Sequence, residues 1–376
     1  MVRFGIIGMG NMGRSHANYL LQGQIKNAEL VAICDLVKPT DEIYKDLKFY
    51  YDYKELIDSG EVDAVIIATP HYYHTIIGCY SLSKKIHTLT EKPFSVHKKD
   101  CLKFIEAHDD PKVVFSCMFN QRTRPQYQKM KELVPELGRI QRMTGIFTDW
   151  YRTMAYYNSS SWRATWKGEG GGVLMNQCTH QMDLVQWLCG VPKSVFANVT
   201  FGKFHDIEVE DEVNAVFEYE NGAIGSFIGS TGEYPGTNSL DISGEYGRLF
   251  FEKDTLKYWK NDRSAIKYAI EDVGEKVTEA KAKTTANYFN NPIAEYKEFK
   301  FNEGTNFLIQ HATITQSFVD AITDGKPLIA PAEEGLNSVE MANAIIMSSV
   351  LGKKISLPID PDEYAEILEK LKAKGK

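Results

Sequence analysis

The sequence predicts an α/β domain with a parallel sheet, followed by an α+β domain with a mostly antiparallel sheet. In the first third of the chain, short apolar strands alternate with helical stretches, as in α/β domains. After residue 195, strand-like runs separated by glycine turns dominate. The chain has 376 residues, more than one hydrophobic core usually serves. We therefore expect domains at 1–121 and 122–355, and a tail helix at 356–376.

The chain opens with a strand, Val2–Ile7, that leads directly into a glycine-rich turn and a helix-like segment. The first glycine of the turn allows a tight bend, and the second lets the backbone approach a pyrophosphate. The third lets the helix pack closely on the strand, while the helix N-terminus faces the phosphates. The residues predicted to form this nucleotide-binding loop are Gly8, Gly10, Asn11, Met12 and Gly13.

A second apolar strand, Glu29–Cys34, ends at Asp35, which lies 22 residues beyond Gly13. This spacing matches the acid that binds the ribose hydroxyl in dinucleotide-binding domains. A carboxylate at this position repels a 2′-phosphate. No arginine directly follows Asp35, although Lys38 lies nearby. The sequence therefore predicts NAD rather than NADP as the cofactor.

The next buried strand, over residues 64–68, leads into Thr69 and Pro70 and then into two histidines. Ligands of parallel sheets bind outside the carboxyl ends of the strands. Thr69 and Pro70 are therefore predicted to wall the cofactor, with His74 near its nicotinamide. His71 and His74 raise the alternative of a metal pair, but no carboxylate or thiolate stands beside them at ligand spacing. We predict no metal site.

A further predicted strand, over residues 87–90, ends in Glu91, Lys92 and Pro93. Proline biases the residue before it towards extended geometry, so Lys92 is held at the strand end rather than in a helix. A lysine there can reach both a nicotinamide ring and a substrate hydroxyl. A cation beside the reactive end of a dinucleotide indicates an enzyme that moves hydride.

In the second half, the segment 172–188 follows a run of glycines and has helical periodicity. Asn176 and His180 are four residues apart, so this periodicity predicts that they share one face of a helix. The apolar positions that predict the buried stripe of that helix are Leu174, Cys178, Met182, Val185 and Leu188.

The glycine loop, Thr69 with Pro70, the tripeptide 91–93 and the glycine run 170–172 with His180 together resemble the glucose-fructose oxidoreductase/inositol dehydrogenase family, often called Gfo/Idh/MocA. The resemblance spans most of the chain. It implies an N-terminal Rossmann domain and a C-terminal domain with a large, mostly antiparallel open sheet. It also implies that Lys92 is the catalytic lysine and that a late helix, 333–351, packs beside the first domain.

In many family members that resemble sugar or inositol dehydrogenases, the position of Asn176 is an aspartate and that of His180 is the proton-accepting histidine. Asparagine can orient a hydroxyl but cannot take its proton. The base role therefore falls on His180, because an ordinary histidine pKa of about 6.5 suits proton transfer near neutrality. A Lys92 of lowered pKa could share this task.

Aromatic and hydrogen-bonding side chains mix over residues 156–169, as in a sugar site, or alternatively in a surface loop whose tryptophans pack on the domain. A phosphorylated or nucleotide-linked sugar remains an alternative substrate, because the arginines of the chain could bind phosphate with their guanidinium groups. From the resemblance we expect NAD-dependent oxidation of a ring hydroxyl, C3 first, of a sugar or glycoside. The alternatives are an inositol dehydrogenase, a glycosidase that oxidises transiently, and a non-catalytic NAD-sensing regulator. Predicted substrate contacts are Asn176, Arg122, Tyr157, Trp162 and Arg163.

Composition limits the partners and the location of the protein. A net charge of −7 and a pI near 5.8 argue against a nucleic-acid surface, which needs an excess of basic residues. No apolar run approaches the ~20 residues that span a bilayer, and the N-terminus starts with a strand, so we expect a cytoplasmic protein. Because sheet edges and faces must be covered, we also expect a homo-oligomer, a dimer or a tetramer.

Overall fold

The computed structural model describes residues 1–267, 293–301 and 307–375. Its first domain contains a six-stranded sheet in which every paired strand is parallel. The strands are β1 Val2–Ile7, β2 Ala28–Cys34, β3 Lys48–Tyr50, β4 Ala64–Ile67, β5 His87–Thr90 and β6 Phe115–Cys117. The helices are α1 Asn11–Leu21, α2 Tyr53–Asp58, α3 Tyr72–Ser83 and α4 Lys98–Glu106.

The spatial order of this sheet is β3-β2-β1-β4-β5-β6. The order reverses between β1 and β4, and in such sheets the crevice at the reversal is where a ligand binds. All four residues of β4 are buried, because helices cover both faces of a parallel sheet. The nucleotide-binding loop follows β1 directly, so the fold places it at this crevice.

The second domain contains a nine-stranded sheet, antiparallel except where β7 and β10 pair in parallel. Its strands are β7 Ile140–Phe147, β8 Ser194–Phe201, β9 Glu210–Glu218, β10 Ile224–Ser230, β11 Asn238–Gly244, β12 Gly247–Glu252, β13 Thr255–Asn261, β14 Ile293–Lys300 and β15 Ile355–Ser356. The spatial order is β14-β13-β12-β11-β7-β10-β9-β8-β15. Its helices α5 Pro125–Leu133, α6 Met154–Tyr157 and α7 Thr179–Cys189 precede or follow β7. The predicted fold class is confirmed.

One face of the large sheet carries apolar side chains that no described element covers completely. Side chains alternate between buried and exposed along β8 and β9, as expected when only one face meets the core. Phe196 on β8 and Val216 on β9 lie directly opposite each other and are 53% and 47% exposed. Ile224 on β10 is 54% exposed. The outer face of the sheet is therefore a candidate contact surface.

Three late helices, α8 Phe307–Asp324, α9 Gly335–Leu351 and α10 Pro361–Lys374, return to the first domain. Helix α8 contacts α1 and β5, and α9 contacts α4 as well as α7 and β8 of the second domain. The buried ammonium of Lys98 on α4 lies 2.7 Å from Glu340 on α9 and donates to the carbonyl of Ile359. None of the described helices combines the length and apolar character that crossing a bilayer requires.

Candidate active site

A cleft of about 920 Å³ lies at the carboxyl ends of β1, β4 and β5 and is closed on its other side by the second domain. The structure brings most of the predicted site residues together on its walls. These are Gly8, Gly10, Asn11, Met12, Asp35, Thr69, Pro70, Glu91, Lys92, Trp162, Arg163, Asn176 and His180.

The end of the cleft beside β1 and β2 has the features that a dinucleotide needs. Gly8 has a φ of +95°, which glycine adopts without strain, and no atom lies within 4 Å of where a Cβ on Gly10 would stand. No described side chain caps the N-terminus of α1, and Asn11 and Met12 of its first turn line the cleft, as at helix N-termini that bind phosphates. The Asp35 carboxylate accepts hydrogen bonds from Met9 and Val37 N–H, at 2.6 and 3.3 Å. These residues fit NAD.

The ammonium of Lys92 is held across the cleft by the second domain. It donates to the backbone oxygen of Asn176 at 3.1 Å and to the side-chain oxygen of the same residue at 3.4 Å. Burial lowers the pKa of Lys92 below its ordinary value, and the neighbouring cations Arg163 and Arg152 lower it further against the opposing charges of Glu91 and Glu169. Lys92 therefore releases a proton more readily than a solvated lysine does.

His180 lies in the first turn of α7 and lines the same cleft. Its side chain is buried, and its Nδ1 has no hydrogen-bond partner among the described residues. Burial, together with the charge of Lys92, lowers the pKa of His180 well below 6.5. The imidazole is therefore neutral near pH 7 and able to accept a proton.

Glu91 anchors the strand end that carries Lys92. Its Oε1 lies 2.8 Å from Nε2 of His16, and its Oε2 accepts a hydrogen bond from the Lys92 N–H at 3.1 Å. His16 contacts the hydroxyl of Tyr19, which contacts Thr315 on α8. Although burial alone would raise the pKa of Glu91, the His16 contact lowers it to about 2. The backbone at Lys92 is thus fixed by a buried polar network.

Arg122 is not a substrate contact, and that prediction is wrong. Its side chain is fully buried outside the cleft, and Nε donates to Asp183 at 2.8 Å. A second guanidinium nitrogen lies 2.6 Å from Glu334. A fixed cation in the interior requires such partners, and here two carboxylates supply them. Arg122 links α7 to the segment before α9.

Three further predicted residues lie behind the walls of the cleft. His74 is buried with its ring nitrogens 2.8 and 2.9 Å from the carbonyl oxygens of Pro93 and Thr69, so it braces two strand ends instead of facing a nicotinamide. Tyr157 is buried with its hydroxyl 2.9 Å from that of Thr231. A Cβ on Gly13 would stand 1.8 Å from the Gly8 carbonyl oxygen, so Gly13 serves helix packing.

The predicted helix over 172–188 begins later than expected, because α7 starts at Thr179. The preceding turns are held by Glu210 on β9, whose Oε1 accepts from the N–H groups of Gly172 and Leu174 at 2.8 and 3.1 Å. Asn176 therefore stands on a turn and not on the helix face that it was predicted to share with His180. Both residues still line the cleft.

Glu169 is a functional candidate that the sequence reasoning missed. Its carboxylate is 2% exposed; Oε2 accepts from the Ala164 N–H at 2.6 Å, and Oε1 accepts from the side-chain amide of Asn176. Burial raises the pKa of Glu169. A carboxylate thus stands directly behind Asn176. Its only sequence signal is its place before the glycine run.

Other cleft residues that were not predicted as contacts include aromatic, basic, amide and imidazole groups. The Nδ1 of buried His71 lies 2.9 Å from the carbonyl oxygen of Glu169, and this hydrogen-bond contact uses that nitrogen. Within the described ranges, no group of three or more His, Cys, Asp or Glu side chains is placed to hold a metal ion. Further examples are Trp150, Arg152, Tyr156, Gln177 and His311.

Comparison with characterised proteins agrees with this geometry. The chain is 23% identical over 336 residues to levoglucosan dehydrogenase from Pseudarthrobacter phenanthrenivorans, covering 82% of this chain and 83% of the relative. It is 23% identical over 379 residues to inositol 2-dehydrogenase from Salmonella typhimurium, covering 96% and 99%.

Among solved structures, the WlbA dehydrogenase from Bordetella pertussis in complex with NADH and UDP-GlcNAcA superposes with a TM-score of 0.75 at 26% identity, over 96% of this chain and 99% of that one. Residues 2–119 match the model of an oxidoreductase family with an NAD-binding Rossmann fold, and residues 127–250 match the GFO/IDH/MocA C-terminal domain. The chain belongs to the Gfo/Idh/MocA family of NAD-dependent oxidoreductases.

Proposed function

We propose that this protein oxidises a secondary ring hydroxyl of a sugar or glycoside to a ketone, with C3 as the first position to test. The observation that supports this most directly is the placement of Lys92 and His180. They come from different domains and line the same cleft as the nucleotide-binding loop and Asp35. A cation and a neutral base are thus combined next to a dinucleotide site, as oxidation of an alcohol requires.

In the proposed reaction, bound NAD would accept the hydride from the carbon that bears the reacting hydroxyl group. His180 takes the proton of the substrate hydroxyl, and its lowered pKa keeps it free to do so near neutrality. Lys92 donates a hydrogen bond to the oxygen on which negative charge develops. Such a donor, placed in advance, is worth about 3 to 4 kcal/mol to the transition state. Asn176 holds the ammonium of Lys92 in place.

The walls of the cleft suit a ring with hydroxyl groups. Trp150 and Trp162 offer aromatic surface, and Asn176 and Gln177 offer amides that can bind hydroxyls. The similarity to levoglucosan dehydrogenase favours a pyranose substrate. The similarity to inositol 2-dehydrogenase spans nearly the whole chain and favours a cyclitol as the second candidate.

The test is NADH formation by purified protein with NAD and a panel of monosaccharides, alkyl and aryl glucosides, inositols and phosphorylated sugars. We expect a signal with one ring class that is lost in the His180→Ala variant. The product is then reduced with borodeuteride, and the position of the label identifies the oxidised carbon. Cleavage of aryl glucosides without net NADH would contradict the dehydrogenase and indicate a transient-redox glycosidase. Tight NAD binding with no turnover on any member would indicate a non-catalytic role.

A further inference from the structure

The half of the cleft that would hold substrate is lined by three basic side chains. Lys92 comes from the end of β5, and Arg152 and Arg163 come from the segment between β7 and the glycine run. The positive charges of both arginines reach Lys92, because they lower its pKa. Two of these cations exceed what the chemistry of a neutral sugar requires, since one donor to the reacting oxygen suffices.

Of the two arginines, Arg152 is the one with no carboxylate at ion-pair distance among the described residues, although its charge reaches Asp149. Its guanidinium lies 4.7 Å from the ring centroid of Tyr156 and 5.3 Å from that of Trp150, and both rings line the cleft. One nitrogen donates to the backbone oxygen of Tyr151 at 3.1 Å, whereas the buried Nε has no hydrogen-bond partner among the described residues. Arg152 forms no ion pair in this part of the chain. Its stacked position nevertheless holds its planar fork beside the cleft.

Arg163 packs against the same tyrosine. Its guanidinium lies 4.6 Å from the ring centroid of Tyr156 and 4.7 Å from that of Trp162, and it donates to the Tyr156 hydroxyl at 2.8 Å. The nearest carboxylate oxygen, of Glu169, is 3.8 Å away, and the Nε of Arg163 is also buried without a partner in the described ranges. Glu169 also faces Asn176 and Lys92, so it balances only part of the positive charge.

We propose that the substrate carries an anionic group, a carboxylate or a phosphate ester, which Arg152 binds with Arg163 beside it. This inference rests on the proposed function, because it names the class of sugar that the same site takes. Two guanidinium groups beside one tyrosine repel each other, and an anion bound next to both of them in the cleft relieves that repulsion. Carboxylate and phosphate share this chemistry, so the experiment separates them.

The experiment compares three substrates with the same ring: glucose, glucuronate and glucose 6-phosphate, followed by the corresponding galactose series. kcat/KM is measured for each by NADH formation at two ionic strengths. A charge-assisted hydrogen bond changes affinity by about tenfold to a hundredfold, so we expect one acidic sugar to exceed its neutral parent by at least about tenfold. We also expect this preference to shrink in high salt, where a partly exposed charge pair is screened.

Two variants assign the preference to the arginine. Arg152→Gln removes the charge and should reduce the ratio of acidic to neutral kcat/KM by at least about tenfold, whereas Arg152→Lys should retain part of it. Arg139→Gln is the matched control, because Arg139 is exposed just before β7 and the substitution changes the net charge by the same amount. Thermal melting with and without NAD checks that each variant is folded.

Calorimetric titration of the NADH-loaded protein with the same three sugars gives a readout that does not need turnover. Preference for an acidic sugar in both assays, lost in Arg152→Gln, supports the proposal, and the preferred acid tells carboxylate from phosphate. Turnover with equal kcat/KM for neutral and acidic sugars overturns the proposal and leaves the dehydrogenase standing. Selective binding of an acidic sugar without any oxidation overturns the dehydrogenase but supports the anion site. A preference that survives in Arg152→Gln overturns the role of Arg152.

Discussion

The ammonium of Lys92 is held by two oxygens of one residue, Asn176, on the other domain. We expect Lys92→Ala to lower kcat at least a hundredfold, because the developing charge on the substrate oxygen loses its donor. The affinity for the cofactor, measured by NADH fluorescence titration, should stay within about threefold of the wild-type value. The reason is that Lys92 acts mainly on the transition state and contributes little to cofactor binding. Normal turnover in this variant would refute the role of Lys92.

The imidazole of His180 sets the expected pH dependence. Its pKa lies well below 6.5, and the protonated form cannot act as base. kcat/KM should therefore hold constant as the pH falls to about 6.5, and decline only when the pH passes below that through the pKa of His180. A pH–rate profile of kcat/KM checks this. If kcat/KM instead rises with pH throughout the alkaline range, the base role belongs to Lys92.

At the scale of single residues, the sequence predicted the residues whose roles follow from a local motif. The glycine loop, Asp35 and Lys92 occupy strand ends, so their place follows from the order of the elements alone. Arg122 could not be placed in this way, because its burial depends on Asp183 and Glu334, which are distant in the sequence. Arg152 was missed for the opposite reason, since nothing around it in the sequence marks it as facing a cleft.

At the level of elements, the turns before α7 depend on the buried carboxyl group of Glu210. Burial raises its pKa from 4.5 to about 7, so the folded protein binds a proton that the unfolded chain has released between these values. Unfolding free energy should therefore fall as the pH rises, by about 3 kcal/mol from this group alone between about pH 5 and about pH 8.

The variant Glu210→Gln tests this directly. The amide keeps an oxygen for the N–H groups of Gly172 and Leu174 but cannot ionise, so the loss of stability between the two pH values should be smaller than in the wild type. Urea unfolding at each pH gives the numbers. Glu220→Gln, the same change at an exposed residue in the turn after β9, is the control. Equal pH dependence in Glu210→Gln and wild type would show that Glu210 is not the titrating group.

The strand-rich region predicted after residue 195 is present, whereas the start of α7 was predicted too early. The alternation along β8 and β9 is a local signal of a sheet with one buried face. The periodicity over 172–188 was real, since the predicted apolar stripe is buried, but the first turns are shaped by Glu210 from a distant strand. Periodicity reports which side chains are buried and does not report which backbone N–H groups another element captures.

For the molecule as a whole, we propose a homo-oligomer that packs through the outer face of the large sheet. The exposed pair Phe196 and Val216, with Ile224 nearby, supplies the apolar contact. Val216→Arg should shift the sedimentation mass towards one chain, because a charge is costly to bury in such an interface. Glu220→Gln, outside the apolar pair, should leave the mass unchanged. A wild-type mass equal to one chain would refute the oligomer.

The return of the late helices to the first domain bears on how this protein could be recombined with its relatives. Phe307 and His311 of α8 line the cleft, although the rest of its second-domain wall comes from residues 150–180. A chimera that imports only residues 122–301 from a relative would combine a foreign substrate wall with the resident Phe307 and His311. The segments that must be exchanged to transfer substrate specificity are therefore discontinuous in the chain. Helix α8 must be exchanged together with the second-domain sheet.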